Sequence, residues 1–282
     1  MSSPDAALKH DWLALCRRAT AGVRAVLQQT PASSERVTEV GGLGEGGDRT
    51  LVIDAEAEQC VFDELEELAA AGVRFTAVSE ERGVVSFGSD ELLVIIDPID
   101  GSLNAKRRIT HHALSIAVAS GPTMADVVFA YVFDFGTDDE WRAELGGGGF
   151  LNDEPIVASA ERRSGDGRLE IVAIEAAWPL LMKAAADDLE RVAFRIRALG
   201  TIAVSMCQVA NGNVDGMVSL RGCRSIDAAA AQLIIRETGG LVQFGHDASD
   251  PLSAPLDLVA HGPVICALTT QGLAEVATLP VE

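Results

Sequence analysis

Lysine is nearly missing from this chain: Lys9, Lys106 and Lys183 are the only three. Against 22 Lys and Arg stand 42 Asp and Glu, a net charge of −20, and a field of that sign repels nucleic acid and anionic membranes. An anionic substrate therefore needs locally arranged cations. Cysteine is sparse, and Cys16, Cys60, Cys207, Cys223 and Cys266 form no C-x-x-C pair, so reduced core thiols are expected instead of a disulfide framework. The histidines lack ligand spacing, His111 and His112 being adjacent, which disfavours zinc. No apolar run approaches the roughly 20 residues of a membrane span, and Met1 to His10 lacks the basic-then-apolar order of a leader. The expected location is the cytoplasm. The run Gly41-Gly42-Leu43-Gly44-Glu45-Gly46-Gly47 has no Gly-Lys-Ser/Thr after it, which rejects a P-loop and leaves a mobile flap.

What is present is a core. At 282 residues and 48% hydrophobic content, the chain suffices for one large domain or two closely joined ones. It is organised around Leu92-Leu-Val-Ile-Ile-Asp-Pro-Ile-Asp-Gly-Ser102. Leu92 to Ile96 reads as a strand buried on both faces, ended abruptly by Asp97-Pro98. Pro98 biases Asp97 toward extended backbone, Gly101 permits a sharp turn, and Ser102 suits the start of a helical turn. Two carboxylates held at about 4 Å repel by roughly 4 kcal/mol at an effective dielectric of about 20, so such a pair favours a cation. Taken alone, D-P-x-D-G is also an ordinary solvated turn.

In chain order, residues 5–29 show an amphipathic helical pattern, and Asp54 opens another helix to about Ala71, where N-cap is its plain role. Glu56 and Glu58 favour the positive end of that helix's dipole. The strand Val73 to Val78 stops at Glu80-Glu81, as the central strand stops at Asp97. Leu114–Ala119, Val127–Phe135 and Trp141–Glu144 read as an antiparallel meander. A strand at Leu169–Ile174, a helix at Trp178–Leu189 and a strand at Ala193–Ala198 follow, the last with Arg195 and Arg197 on one face. Gly200-Thr201 opens the helix Ile202–Ala210, Val214–Leu220 is a strand, and Asp227 opens an Ala-rich helix, again as a plain N-cap.

Taken in order, Glu80-Glu81, Asp97-Pro98-Ile99-Asp100-Gly101-Ser102-Leu103-Asn104, Gly200-Thr201 and Asp227-Ala-Ala with Gly239-Gly240 resemble the inositol monophosphatase superfamily. The segments Gly47–Asp54 and Val78–Val84 look most like its dual inositol monophosphatase and fructose-1,6-bisphosphatase branch. The resemblance implies a layered α/β sandwich, an αβαβα sugar-phosphatase architecture, with an N-terminal half at 1–155, a C-terminal half at 156–282 and the site between them. It implies that Glu80, Asp97 and the carbonyl of Ile99 hold one Mg²⁺, and Asp97, Asp100 and Asp227 a second, with a third near Glu80 and Mn²⁺ an acceptable substitute. All-oxygen ligation suits those ions. By the same resemblance Asp54 and Ser102 orient the attacking water, Ser102 standing where the family usually has Thr. Backbone N–H groups of Gly101, Ser102, Gly200 and Thr201 receive the phosphate, and the Gly41–Gly47 flap closes over the metals. A homodimer is implied by the family alone.

One departure bears on substrate. Where animal-type members carry a Glu that binds inositol hydroxyls, seven residues before the last metal Asp, this chain has Leu220. Arg221 and Arg224 follow, with Arg195 and Arg197 upstream, so a substrate with a second phosphate is expected, fructose 1,6-bisphosphate before inositol 1-phosphate. Arg221 or Arg224 bracing the acid cluster is the competing use. A nucleotide 3′-phosphate such as phosphoadenosine phosphate and a non-catalytic sugar-phosphate binder are the rival readings.

Overall fold

The apolar runs build two sheets in the computed structural model, which describes residues 9–30, 39–43, 49–245 and 249–281. Helix α1 (Trp12–Gln29) is capped by Asp11, whose side chain accepts the Ala14 N–H, and it buries Trp12, Leu15, Cys16, Ala19, Val23 and Leu27 on one face. It starts later than its periodicity suggests. Strands β1 (Glu39–Leu43) and β2 (Arg49–Leu51) pair antiparallel, so the expected flap falls partly on β1 and partly, at 44–47, outside the described residues. Helix α2 (Val52–Ala70) then begins two residues before Asp54, which lies in its first turn and is not its N-cap.

The first large sheet holds β3 (Thr76–Ser79), β4 (Gly83–Ser86) and β5 (Leu93–Asp100), which runs into the short helix α3 (Ser102–Arg107), and then β6 (Ala113–Ala119), β7 (Val127–Asp134), β8 (Asp139–Glu144), β9 (Gly148–Leu151) and β10 (Glu154–Pro155). Its order is β10-β9-β8-β7-β6-β5-β3-β4, antiparallel except where β3 runs parallel to β5. The second sheet comprises β11 (Leu169–Glu175), β12 (Ala193–Arg197), β13 (Gly216–Ser219), β14 (Leu241–Phe244) and β15 (Val264–Ala267), in the order β12-β11-β13-β15-β14. Between β11 and β12 the expected single helix is two pieces, α4 (Pro179–Ala184) and α5 (Ala186–Val192). Helices α6 (Ile202–Ala210), α7 (Ser225–Glu237) and α8 (Thr270–Val276) complete the chain.

Side-chain alternation sorts these elements into five layers, αβαβα. On β5, β6 and β7 the bulky set Val94, Ile96, Leu114, Ile116, Phe129 and Tyr131 packs with α1 and α2. The opposite set packs with α6 and α7 and is small on β6, with Ala113, Ala117 and Ala119, joined by Ala130 of β7 beside the larger Ile95 and Val132. Ala228 to Ala231 on α7 are buried too, so small residues on both sides allow close approach of helix to sheet. The same core continues through Ala173, Met217, Val242 and Cys266 of the second sheet, whose far face, with Val172, Ile174 and Val218, packs with Leu189 of α5 and Val276 of α8. Among the described residues no helix is long and apolar enough to cross a membrane, and the cysteines are free thiols.

Candidate active site

A single irregularity in β5 makes the acid site. Asp97 and Asp100 are three residues apart, so in a regular strand they would point to opposite faces. A bulge intervenes: Asp97 lies opposite Ser115 and Asp100 opposite Ala113, three steps on β5 against two on β6. The extra residue turns both carboxylates to the α6/α7 face. Parallel pairing of Ser79 with Ile96 brings Glu80 to the same sheet end, and Asp227 arrives in the first turn of α7.

All four acids are buried. The Ile99 N–H donates to Asp97 Oδ1 at 3.0 Å. Asp100 Oδ2 accepts the Thr201 hydroxyl and, at 2.7 Å, the Ala203 N–H, so the start of α6 aims this carboxylate. Asp227 Oδ2 accepts the Arg224 N–H at 3.1 Å, and the helix begins at Ser225, so Asp227 caps from inside the first turn. The Arg224 guanidinium stands 2.8 Å from Glu80 Oε1 and 3.1 Å from Asp227 Oδ1. Arg224 is thus held inside the acid cluster.

Burial first, and then mutual repulsion, sets the proton affinities. Glu80 is pushed up to about 7 by burial, which outweighs the opposing pull of Arg224, with Asp227 adding to the rise. Asp97 is pushed well above the carboxylate range by burial and by Glu80, Asp100 and Asp227. Burial and Asp227 drive Asp100 up to about 8 against the bonds from Thr201 and Ala203. Arg224 goes the other way: burial works against its charge, but Asp227 and Glu80 raise its proton affinity further. Among the described residues no three acids, thiols or imidazoles already close into a metal cage. The donor set nevertheless fits hard divalent cations, since it is buried, anionic and all-oxygen.

The remaining expected residues fall in different places. Asp54 is buried in α2, and Ser102 is half-buried at the start of α3. The Gly200 N–H, expected for phosphate, instead donates to Glu175 Oε2 at 3.0 Å. Thr201 caps α6, its hydroxyl accepting the Val204 N–H at 3.2 Å. Arg195 and Arg197 lie exposed on an edge strand, where each guanidinium bends back to the carbonyl of the preceding residue, at 2.9 and 2.8 Å. Arg221 is exposed, stacks 4.4 Å from the Trp178 ring centroid and has no carboxylate partner among the described residues. Leu220 is fully buried. Trp178 lines a cleft of about 550 Å³ together with Asp100, Asp227, Arg224, Glu175 and Leu103.

Sequence reasoning passed over two acids that shape this site. Glu58, assigned to the helix dipole, accepts the Ser79 hydroxyl at 2.5 Å and the Glu81 and Arg82 N–H groups at 3.1 Å, which fixes the turn carrying Glu80. Glu175 ends the apolar strand β11, the same apolar-to-acid pattern that singled out Glu80 and Asp97. Gly101 has φ +84, and a Cβ there would meet Gly200 O at 3.0 Å and His111 O at 3.1 Å. Gly101→Ala is therefore expected to cost at least about 1–2 kcal/mol from left-handed strain alone, read as a lower urea midpoint; an unchanged midpoint would contradict this geometry.

Comparison with known proteins gives one answer. Residues 10–279 match the inositol monophosphatase family. The chain is 34% identical over 220 residues to a fructose-1,6-bisphosphatase/inositol-1-monophosphatase of Methanothermobacter thermautotrophicus, covering 74% of this chain and 76% of that one. It is 32% identical over 205 residues to an inositol-1-monophosphatase of Mesorhizobium japonicum, covering 70% and 72%. In fold it resembles the crystal structure of an inositol monophosphatase-fructose 1,6-bisphosphatase, with a TM-score of 0.81 and 24% identity over 95% of this chain and 99% of that one.

Proposed function

This chain belongs to the inositol monophosphatase family, and from that premise we propose that it hydrolyses a small sugar or polyol phosphate, fructose 1,6-bisphosphate first and inositol 1-phosphate second. It is a phosphoric monoester hydrolase of a family that is generally metal-dependent. The observation that carries the reading is the convergence of Glu80, Asp97, Asp100 and Asp227, from two strands and a helix start, at one buried sheet end. Glu80, Asp97, the Ile99 carbonyl, Asp100 and Asp227 would hold Mg²⁺, with Mn²⁺ as substitute. When bound, such ions supply Lewis-acid charge to the phosphoryl oxygens and activate water at neutral pH. Asp54 and Ser102 orient that water, and the N–H groups of Gly101, Ser102 and Thr201 take phosphate oxygens. The halves 1–155 and 156–282 each furnish one wall. Free thiols agree with a cytoplasmic location, and a homodimer is expected from the family alone.

Arg221 supports the bisphosphate. It is a cation without a carboxylate partner among the described residues, beside Trp178 of the cleft, in a chain of charge −20. Phosphate release with Mg²⁺ should therefore favour fructose 1,6-bisphosphate over inositol 1-phosphate, more strongly at low salt. Arg221→Ala is expected to raise KM for the bisphosphate about tenfold, the worth of one charged hydrogen bond, and to leave inositol 1-phosphate unchanged. Equal effects on both substrates would remove Arg221 from recognition. The exposed indole of Trp178 favours one further reading, a nucleotide 3′-phosphate stacked on it, which belongs in the same assay.

A further inference from the structure

We propose that Glu175 is a positioning residue, holding the Leu199–Thr201 turn in the place that aims Asp100; this rests on the phosphatase reading above. Glu175 ends β11 on the same side as Ala173, facing α6, and is buried. Its Oε1 accepts the Leu199 N–H at 3.1 Å and the Ser205 hydroxyl at 2.5 Å, and its Oε2 accepts the Gly200 N–H at 3.0 Å. From the other half of the chain, Asn104 Nδ2 donates to Leu199 O at 2.6 Å and to His111 O at 2.9 Å. Leu199 is therefore gripped at its N–H by one half and at its carbonyl by the other.

The next residue transmits that grip. Thr201 donates its hydroxyl to Asp100 Oδ2, which also takes the Ala203 N–H. A plain helix cap would hold the first N–H groups of α6, but Ala203 and Val204 are already served by Asp100 and Thr201. Glu175 holds Leu199 and Gly200, the two residues before the Thr201 cap. Gly200 leaves no slack, because its φ is +83 and an added Cβ would meet Asn104 Nδ2 at 2.8 Å. The turn is fixed from both sides, and both Asp100 and Glu175 line the cleft.

The test compares Glu175→Gln with Ser205→Ala, measuring kcat, KM and, by calorimetry with Mg²⁺ present, the Kd of inorganic phosphate. Glu175→Gln keeps the shape but sets an amide nitrogen against one of the two backbone N–H groups. It is expected to raise KM and the phosphate Kd about tenfold, the loss of one charged hydrogen bond. Ser205→Ala removes a buried partner of the same carboxylate and leaves its hold on Leu199 and Gly200. It should lower the melting temperature with KM and Kd unchanged. Wild-type values in Glu175→Gln, or an equal rise in both variants, would overturn the proposal. No turnover by the wild-type protein would sink the phosphatase reading instead, while the phosphate affinities still judge Glu175.

Discussion

Asp97→Asn is expected to abolish turnover and, in the same molecule, to raise the melting temperature of the metal-free protein. Asp97 is the acid on which burial, Glu80, Asp100 and Asp227 all press, and Asn keeps its volume and the oxygen that accepts the Ile99 N–H. In the proposed metal site Asp97 is the central oxygen donor, and removing it should forfeit several kcal/mol of transition-state stabilisation, roughly a thousandfold in rate or more. Removing its charge relieves the cluster. The sign follows from linkage: an acid whose folded pKa is raised binds more protons folded than unfolded, so its stabilising contribution is complete below the ordinary carboxylate range and fades as pH climbs to the folded value. The window opens at the ordinary carboxylate range, about 4, and extends well above it, since burial and its acidic neighbours raise Asp97 and Asp100 is pushed up to about 8. The gain in Asp97→Asn should therefore be least at acid pH and grow as pH rises above the ordinary carboxylate range, by a few degrees at about 2–4 °C per kcal/mol for a chain of this size. Calorimetry in chelator, beside a phosphate-release assay, reads both. A variant as active as wild type, or less stable in chelator at pH 8.5, would sink the assignment of Asp97.

Arg224→Ala should act in the opposite direction. Its guanidinium is the cation that Glu80 and Asp227 share, and truncating one partner of a buried ion pair leaves uncompensated charge at a cost of about 3–5 kcal/mol. The metal-free variant is expected to melt about 10 °C lower. Added Mg²⁺ should return most of that loss and bind more tightly than in wild type, because no guanidinium has to be displaced from the same oxygens. Arg224→Lys keeps the charge without the fork and should lie between. If metal restores nothing, the loss comes from packing around the stem, and Arg224 is no counter-charge.

The sequence showed more of the site's chemistry than of its geometry. The continuous β-branched run Leu92–Ile96 located β5, because a strand covered on both faces carries no competing polar alternation, and alternation at Val73–Val78 located β3. The bulge at Pro98-Ile99 left no such mark, since it exists only in the pairing of β5 with β6. Residue type suggests N-caps at Asp54 and Asp227, yet both helices begin two residues earlier. For Asp227 the reason is visible, as its side chain reaches back to the Arg224 N–H. Alternation put Arg195 and Arg197 on one face, but it says nothing about sheet order, and order makes β12 an edge. Arg224 sat between two uses in the sequence, substrate ligand or brace, because only folding decides which carboxylates come within reach of a guanidinium. Glu175 is legible by the rule that marks Asp97, an acid at the end of an apolar strand.

The small-residue face of the first sheet has a consequence for access. Because Ala113, Ala117 and Ala130 let α7 lie close to that sheet while the second sheet closes its other side, the helix is a keel shared by both sheets. Opening such a molecule like a pair of jaws would expose the buried alanines of α7 and the sheet faces they pack on. Access to the acids is then over the exposed side chains of Trp178 and Leu103, which line the cleft.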